Sequence, residues 1–407
     1  MTSSPGKRVA VVYPAPAGLG GLGQQAATVI AALVRGGHEV VALGPGCVDT
    51  WPIRDVKAQV RWLTGAPAVP ASLMRFSPLR LLPGAHTSLS HGLLGRWAAA
   101  QLESVRPDLV YSFTQVALEP LLWCRAQGVP SILDNPNGGI ANFRQVCVDE
   151  WRAWCRGTYR DHPTARMVQR VQREYSLAQR VRVSSTWAAS STAKELTSPE
   201  KISVVDQPID LGRFRPPATR ERSSTLELVF VGSIDVRKGV LHLLRAVRAL
   251  GSSVHVTLVG GTGSRPMHRA LQREAEGLSV TVAPGDPVGA YQRADLAVLP
   301  SLEDGFGFVI AEAMACGTPC LVTDQCGSAE WVEQARAGWV VPAGSAHALS
   351  EALRDVQLER DELTEMGQRA RAYVEQRAGT RCSDALLSLV DEVLAERGGS
   401  RARPTRA

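Results

Sequence analysis

Residues 301–319, SLEDGFGFVIAEAMACGTP, decide how the rest of the chain is read. A Gly-Phe-Gly turn, Gly305 to Gly307, opens a run from Phe306 to Cys316 in which almost every residue is apolar or small. That composition predicts a buried helix. Two acids stand around the turn: Asp304, with Glu303 beside it, just before, and Glu312 inside the apolar run. A buried carboxylate is costly without a partner, and Glu312 lies beyond the first turn, where the helix dipole no longer supports it. It therefore requires a polar partner, either a neighbouring side chain or a ligand. The amides of the turn suit an anion or a sugar hydroxyl.

Outward from this stretch, short β-branched runs alternate with helical ones. In the second half, strands are expected over 226–231, 254–259, 280–283, 296–299 and 320–323, with helices over 240–250 and after Gly307. In the first half, strands are expected over 8–13, 39–43, 109–113 and 131–133, with an amphipathic helix over 24–35. Such alternation predicts parallel sheets covered on both faces. At 407 residues the chain exceeds what one core supports, so the expected fold is α/β, two Rossmann-like doubly wound domains facing across a cleft. Between the halves, 205–217 (VDQPIDLGRFRPP) has three prolines and one glycine, which bar a regular element. The expected organisation is a first domain over 1–205, a linker over 206–217 and a second domain over 218–380. A C-terminal helix over 381–396 can pack back on the first domain, and 397–407 is a flexible basic tail.

In open α/β sheets, ligands bind beyond the carboxyl ends of the strands, and glycine-rich turns stand at three of these places. Residues 17–23 (AGLGGLG), with Gly20 and Gly21, follow the first strand, so their amides can meet an anion at a helix N-terminus. A purely structural tight turn explains them too. The spacing is not the dinucleotide fingerprint, and the second strand ends in Leu43-Gly44-Pro45 without an acid, which counts against a nicotinamide cofactor. Residues 231–239 (VGSIDVRKG) place Arg237 and Lys238 before a glycine. There they can neutralise a diphosphate, Lys as a point charge and Arg as a fork, or stand as a solvated basic pair. Residues 258–263 (LVGGTG), with Gly260, form another strand-end turn.

Apolar content of 44% and charged content of 21% read as globular and soluble. No run approaches a membrane span, and the apolar stretch near the N-terminus is too short and β-branched for a signal peptide, so a cytoplasmic location is expected. Eight scattered cysteines argue for reduced thiols, and none completes a zinc pattern. Residues 56–102 contain no acid but carry Lys57, Arg61, Arg75, Arg80, His86, His91 and Arg96. With interleaved leucines, this stretch could meet an anionic membrane or an anionic or lipid-linked ligand. Prolines at 67, 70, 78 and 83 interrupt any long helix, and a mobile loop on the ligand side is the preferred reading. The net charge of +6 and the basic tail from Arg401 to Arg406 read as solvated loops, with no indication of nucleic acid.

The opening stretch resembles the signature of the family 4 glycosyltransferases, (S/P)-x-x-E-G-F-G-x-x-x-x-E-A-M-A-x-G-x-P. These are retaining, sugar-nucleotide-dependent enzymes of the GT-B fold. The family usually has Glu where this chain has Asp304, which leaves either Glu303 or Asp304 to reach the sugar. The likeness runs from about Val9 to about Leu353 and is strongest in the second half. It implies that Glu312 holds ribose hydroxyls and that Asp304 or Glu303 holds the donor sugar. It also implies that Lys238, the amides of Gly305, Phe306 and Gly307, and Phe308 and Gly260 nearby line the donor site. The family carries an Arg where this chain has Ser233, and Arg237 can replace the missing charge. In the first half, the family's loop at Gly20 and Gly21 faces acceptor and donor phosphates. Where many relatives place a histidine near the anomeric carbon, this chain has DNPNGGIAN (134–142). Asp134 and Asn135 remain there as groups that could bind a sugar or an acceptor hydroxyl.

The function implied is transfer of a sugar from a nucleoside diphosphate sugar, such as a UDP-sugar, to an acceptor hydroxyl, with retention. The acceptor is expected to be a small molecule or natural-product scaffold, and no metal or other cofactor is expected. Alternatives are a lipid-linked or polysaccharide acceptor, a sugar-nucleotide epimerase, or a degenerate non-catalytic transferase of the same fold. A phosphorylase would need a pyridoxal-phosphate lysine and usually a far longer chain.

Overall fold

In the computed structural model of the chain, residues 6–66, 84–157, 159, 162–220, 223–377 and 380–400 are described. Residues 67–83 of the acid-free stretch, with Arg75 and Arg80, and residues 401–407 of the basic tail lie outside them. The described residues form two compact units. Met1–Arg144, Arg160–Gln207 and Thr380–Ala407 contribute to the first, Gln145–Tyr159 and Pro208–Gly379 to the second.

The first unit comprises β1 (Arg8–Val12), α1 (Gly20–Arg35), β2 (Glu39–Leu43), β3 (Val60–Leu63), α2 (Ala85–Val105), β4 (Leu109–Phe113), α3 (Leu118–Gln127) and β5 (Ser131–Asp134). The start of α4 (Ile140–Trp154), then α5 (Ala165–Leu177), β6 (Arg180–Val183), α6 (Thr186–Ala193) and β7 (Ile202–Val204) continue it. Its seven strands lie in the order β3-β2-β1-β4-β5-β6-β7, every pair parallel. The second unit comprises β8 (Leu226–Val231), α7 (Val240–Arg248), β9 (Val254–Val259), α8 (Arg265–Ala275), β10 (Ser279–Val282), α9 (Val288–Arg293) and β11 (Leu296–Leu299). It ends with α10 (Phe308–Ala315), β12 (Cys320–Thr323), α11 (Ala329–Ala335), β13 (Gly338–Val341), α12 (Ala346–Leu358) and α13 (Leu363–Arg377). Its six parallel strands run β10-β9-β8-β11-β12-β13.

Central strands covered on both faces must be apolar throughout, not alternating, and β4, β11 and β12 are buried at every position. In each sheet the strand order reverses beside the unit's first strand, between β1 and β4 and between β8 and β11. Those reversals are the topological switch points, where crevices open at the carboxyl ends of the strands.

Two stretches are placed in ways that the prolines and glycines do not announce. The unit changes between Gln207 and Pro208, and the expected linker is packed rather than loose: Phe214 is buried in the second unit's core and its carbonyl accepts from Arg371 at 2.8 Å. Residues 145–159 group with the second unit, where Trp151 and Trp154 join its core. Arg245 lies 3.9 Å over the Trp154 ring, and His242 Nε2 meets Glu150 at 2.9 Å. The last helix, α14 (Thr380–Ser400), belongs to the first unit, with Leu386, Leu389, Val390 and Val393 buried in that core. Among the described residues no helix is long and apolar enough to cross a membrane.

Candidate functional site

At the β8/β11 switch point the second unit brings two cations and two adjacent acids together. After β8, Asp235 accepts from the Lys238 amide at 3.1 Å and so caps a single 3-10 turn, Val236–Lys238. Ser233 is exposed and spends its hydroxyl on Asp235, 2.6 Å away. Gly239 then takes a left-handed φ of 68°, and a Cβ there would run into the Pro300 carbonyl, so the turn can close against the end of β11 only with glycine. This brings the two loops together. Leu302 donates its amide to the Arg237 carbonyl at 2.8 Å, and the Asp304 amide reaches the Gln325 carbonyl at 3.0 Å.

On that frame the two cations meet the two adjacent acids. Arg237 Nη1 donates to the Glu303 carbonyl at 2.6 Å and to Glu303 Oε2 at 3.2 Å, while Lys238 Nζ pairs with Asp304 Oδ2. Glu303 is wholly buried and Asp304 nearly so. Burial acts to raise the Asp304 carboxyl, but Lys238 and Arg237 overrule it and hold it below its ordinary value. The same acids, with Asp235, hold the Arg237 guanidinium charged against the cost of burial.

Glu312 stands apart from this pairing. It sits in the second turn of α10, which starts after Gly307 with no side-chain cap. Its partner is the Tyr291 hydroxyl on α9, which donates to Oε2 at 2.9 Å. A neutral phenol compensates a buried carboxylate only partly. Burial therefore pushes Glu312 up to about 7, opposed by Tyr291 and Arg213. Of the two partners the sequence left open, the neighbouring side chain is present, and Tyr291 gave no signal of that role. Phe306 is a core side chain, edge-on to Trp331 at 4.9 Å and to the half-buried Phe308 at 5.5 Å, so only its backbone can face a ligand. Gly260 follows β9, where a Cβ would strike the Gly232 carbonyl, and Gly305 is buried in the β11 loop.

In the first unit, α1 starts at Gly20 with no side-chain cap, and Gly20 and Gly21 are exposed. Asp134 and Asn135 correct an expectation: neither is available to a sugar. Asp134, at the end of β5, has no exposed surface and accepts from Gln25 Nε2 and the Tyr111 hydroxyl at 2.5 Å each, and from Arg182 Nη1 at 3.3 Å. Asn135 Nδ2 donates to the Asn137 and Gly138 carbonyls and to Thr192 Oγ1. Arg182 was missed, although a charged residue inside the run RVRV of β6 signals a buried partner. Gly139 is also filled from behind, because its amide donates to Ser191 Oγ at 3.0 Å and a Cβ would strike the Glu195 carboxylate. Gly139→His is therefore expected to cost about 1–3 kcal/mol by overpacking and to restore nothing. A urea denaturation midpoint equal to wild type would show that the loop can open to take a side chain.

Among the described residues no group of three or more His, Cys, Asp or Glu side chains could hold a metal ion. A family model described as Glycosyl transferases group 1 matches residues 225–357. The D-inositol 3-phosphate glycosyltransferase of Nocardia farcinica is 32% identical over 225 residues, covering 50% of each chain. The chain thus spans about half the length of such curated relatives. The putative colanic acid biosynthesis glycosyltransferase WcaL of Salmonella typhimurium is 25% identical over 384 residues, 85% of this chain and 90% of that protein. Among solved structures, the sucrose-phosphate synthase of Thermosynechococcus elongatus superposes with a TM-score of 0.74 at 17% identity, covering 96% of this chain and all of that one. Anabaena Alr3699/HepE, solved in complex with UDP and glucose, gives 0.64 at 16% identity over 96% of this chain and all of that one. At these identities the likeness establishes the fold, which is GT-B.

Proposed function

We propose that the chain, whose residues 225–357 match the model of the group 1 glycosyltransferases, moves a hexosyl group from a nucleoside diphosphate sugar to an acceptor hydroxyl, with retention and without a metal ion. The observation that carries the reading is the set of paired charges at the β8/β11 switch point, with Glu312 set apart on α10. Glu303 is wholly buried and committed to Arg237, whereas the Lys238–Asp304 pair is the more exposed of the two. A diphosphate competes with Asp304 for Lys238. Its arrival turns Asp304 toward the sugar hydroxyls, so Asp304 rather than Glu303 is the sugar ligand. Arg237 supports this arrangement from beneath, and the first amides of α10 add fixed positive potential. As the glycosidic bond breaks, negative charge grows on the diphosphate, and preorganised charge there lowers the barrier. Glu312 accepts from the ribose hydroxyls. Complexes of Alr3699/HepE with UDP and with UDP-glucose favour a uridine donor.

The acceptor in this reading is a hydroxylated small molecule or natural-product scaffold, which the likeness to a D-inositol 3-phosphate glycosyltransferase supports; the likeness to a colanic acid biosynthesis glycosyltransferase supports the alternative of a polysaccharide acceptor. Acceptor-dependent release of nucleoside diphosphate from UDP-hexoses by the purified chain tests the reading. Isomerised sugar nucleotide without release would favour the epimerase, and tight binding without any turnover would favour the non-catalytic form.

The Glu312 carboxyl supplies a second test. A ribose hydroxyl donates to the ionised form, and with Glu312 raised to about 7 that form is scarce at pH 6 and dominant at pH 8. Sugar-nucleotide affinity should rise about tenfold over this interval, since the diphosphate diester does not titrate there. Calorimetry at both pH values checks it, and a flat profile removes Glu312 from the ribose site.

A further inference from the structure

Residues 145–159 come from the first half of the chain yet pack within the second unit, and they bear on the helix that follows its basic turn. Helix α7 starts directly after Lys238 and Gly239, and its own sequence anchors that start weakly, because Gly239 offers no side-chain cap. The first turn of α7 is tied to the basic turn: the His242 and Leu243 amides both donate to the Gly239 carbonyl, at 3.0 and 3.2 Å. Gly239 already lies against the Pro300 carbonyl. Slack in the turn must therefore come from the start of α7.

The anchor comes from α4. Glu150 Oε2 lies 2.9 Å from His242 Nε2 and accepts from Trp154 Nε1 at 2.8 Å. A carboxylate only accepts, so Nε2 carries the ring hydrogen. Glu150 and Trp154 share one face of α4, and the Trp154 ring stands edge-on to His242 at 5.0 Å. The contact is sheltered: Trp154 is 6% exposed, and the Glu150 and His242 side chains 16% and 13%. Removing one partner there leaves the other unsatisfied. The end of α4 is itself held. Arg245 lies over the Trp154 ring, and Arg273 Nη2 donates to the Trp154 carbonyl at 3.3 Å, at the end of the helix that favours a cation. Behind it Trp151 Nε1 donates to the Gly157 carbonyl at 2.8 Å, and its ring stacks on Tyr159 at 4.4 Å.

We propose that Glu150 and Trp154 are positioning residues for the donor diphosphate: through His242 they clamp the first turn of α7 and so fix where Arg237 and Lys238 stand. Neither residue touches the donor. The clamp keeps the two cations in register while Lys238 exchanges Asp304 for a phosphate, and geometry held in advance is what a preorganised charge requires. The effect on the donor rests on the glycosyltransferase reading above; the clamp itself does not.

The test uses the full chain as wild type, Glu150→Ala and Glu150→Gln, with His242→Ala severing the same contact from α7 should Glu150→Ala not fold. Hydrogen exchange without ligand reads the clamp: in Glu150→Ala the amides of Gly239, His242 and Leu243 should exchange about tenfold faster. Calorimetry with UDP and uridine reads the consequence. Glu150→Ala should weaken UDP by about 3- to 20-fold and leave uridine unchanged, and Glu150→Gln, which keeps an acceptor for His242 and Trp154, should recover most of the loss. Combined with Lys238→Ala, the Glu150→Ala loss should fall well short of additive, because one of the groups it displaces is already gone. Unchanged exchange at the three amides, unmoved UDP affinity, equal weakening of UDP and uridine, or fully additive losses would each overturn the proposal. Amides freed by Glu150→Ala in a chain that binds no nucleotide would instead sink the transferase reading and leave the clamp standing.

Discussion

Glu312→Gln should cut turnover about 100-fold, the loss expected when two hydrogen bonds to a charged group are weakened, and should make the protein more stable at pH 8. The two effects share one cause. The carboxyl is raised to about 7 by burial beside a neutral phenol. Its ionised form therefore opposes folding above about pH 7, and the opposition fades as pH falls toward the ordinary carboxylate value, where the group is protonated in both states. Glutamine does not titrate and keeps a hydrogen bond to Tyr291. At pH 8 the variant should gain about 2–3 kcal/mol, and near pH 4.5 the gain should vanish. Chemical denaturation at the two pH values, beside steady-state kinetics, reads both. A variant that loses activity and is equally destabilised at both pH values would mean that Glu312 holds the fold rather than the ribose.

Lys238→Ala should weaken nucleoside diphosphate binding by about 10- to 100-fold, the range of one charge-assisted contact, with little change for the bare nucleoside. The fold should also suffer. Asp304 is nearly buried and its carboxyl is held down mainly by Lys238. A depressed carboxyl stabilises the fold above its unfolded value and loses that contribution in acid. The variant's deficit should therefore be present at pH 7 and shrink as pH falls below about 4. Calorimetry with UDP and uridine separates the phosphate role from general damage: equal loss for both ligands would remove Lys238 from the diphosphate.

Much of the architecture is legible in the sequence because central parallel strands are unbroken apolar runs. The strands expected at 39–43, 109–113, 226–231, 254–259, 296–299 and 320–323 match β2, β4, β8, β9, β11 and β12. The strands not foreseen lack that signature. β3 (VRWL) lies in a basic stretch, β6 (RVRV) hides Arg182 at a buried position, β7 has three residues, and β13 (GWVV) reads as a loop after Gly338. At the site, the residue types were legible and the pairings were not. Arg237 and Lys238 each meet an acid 66 positions away, and Tyr291 is 21 positions from Glu312, separations across which no local pattern operates. Asp134 and Asn135 misled for the same reason: their polarity suits a ligand, but Gln25, Tyr111, Arg182 and Thr192 consume it from other elements. Grouping 145–159 with the second unit likewise depends on Trp154 meeting Arg245 and Arg273, which only the folded chain brings together.

The central claim is that the second unit binds a nucleoside diphosphate sugar through Lys238 and Glu312. The most direct measurement is titration calorimetry of the purified chain against UDP-, GDP-, ADP- and TDP-sugars at pH 8, repeated with Lys238→Ala. At least one donor should bind at one site per chain with a dissociation constant of about 1–100 μM, weakened at least about tenfold in the variant. Absence of binding by every sugar nucleotide at about 1 mM, or a donor bound equally by both proteins, would contradict it.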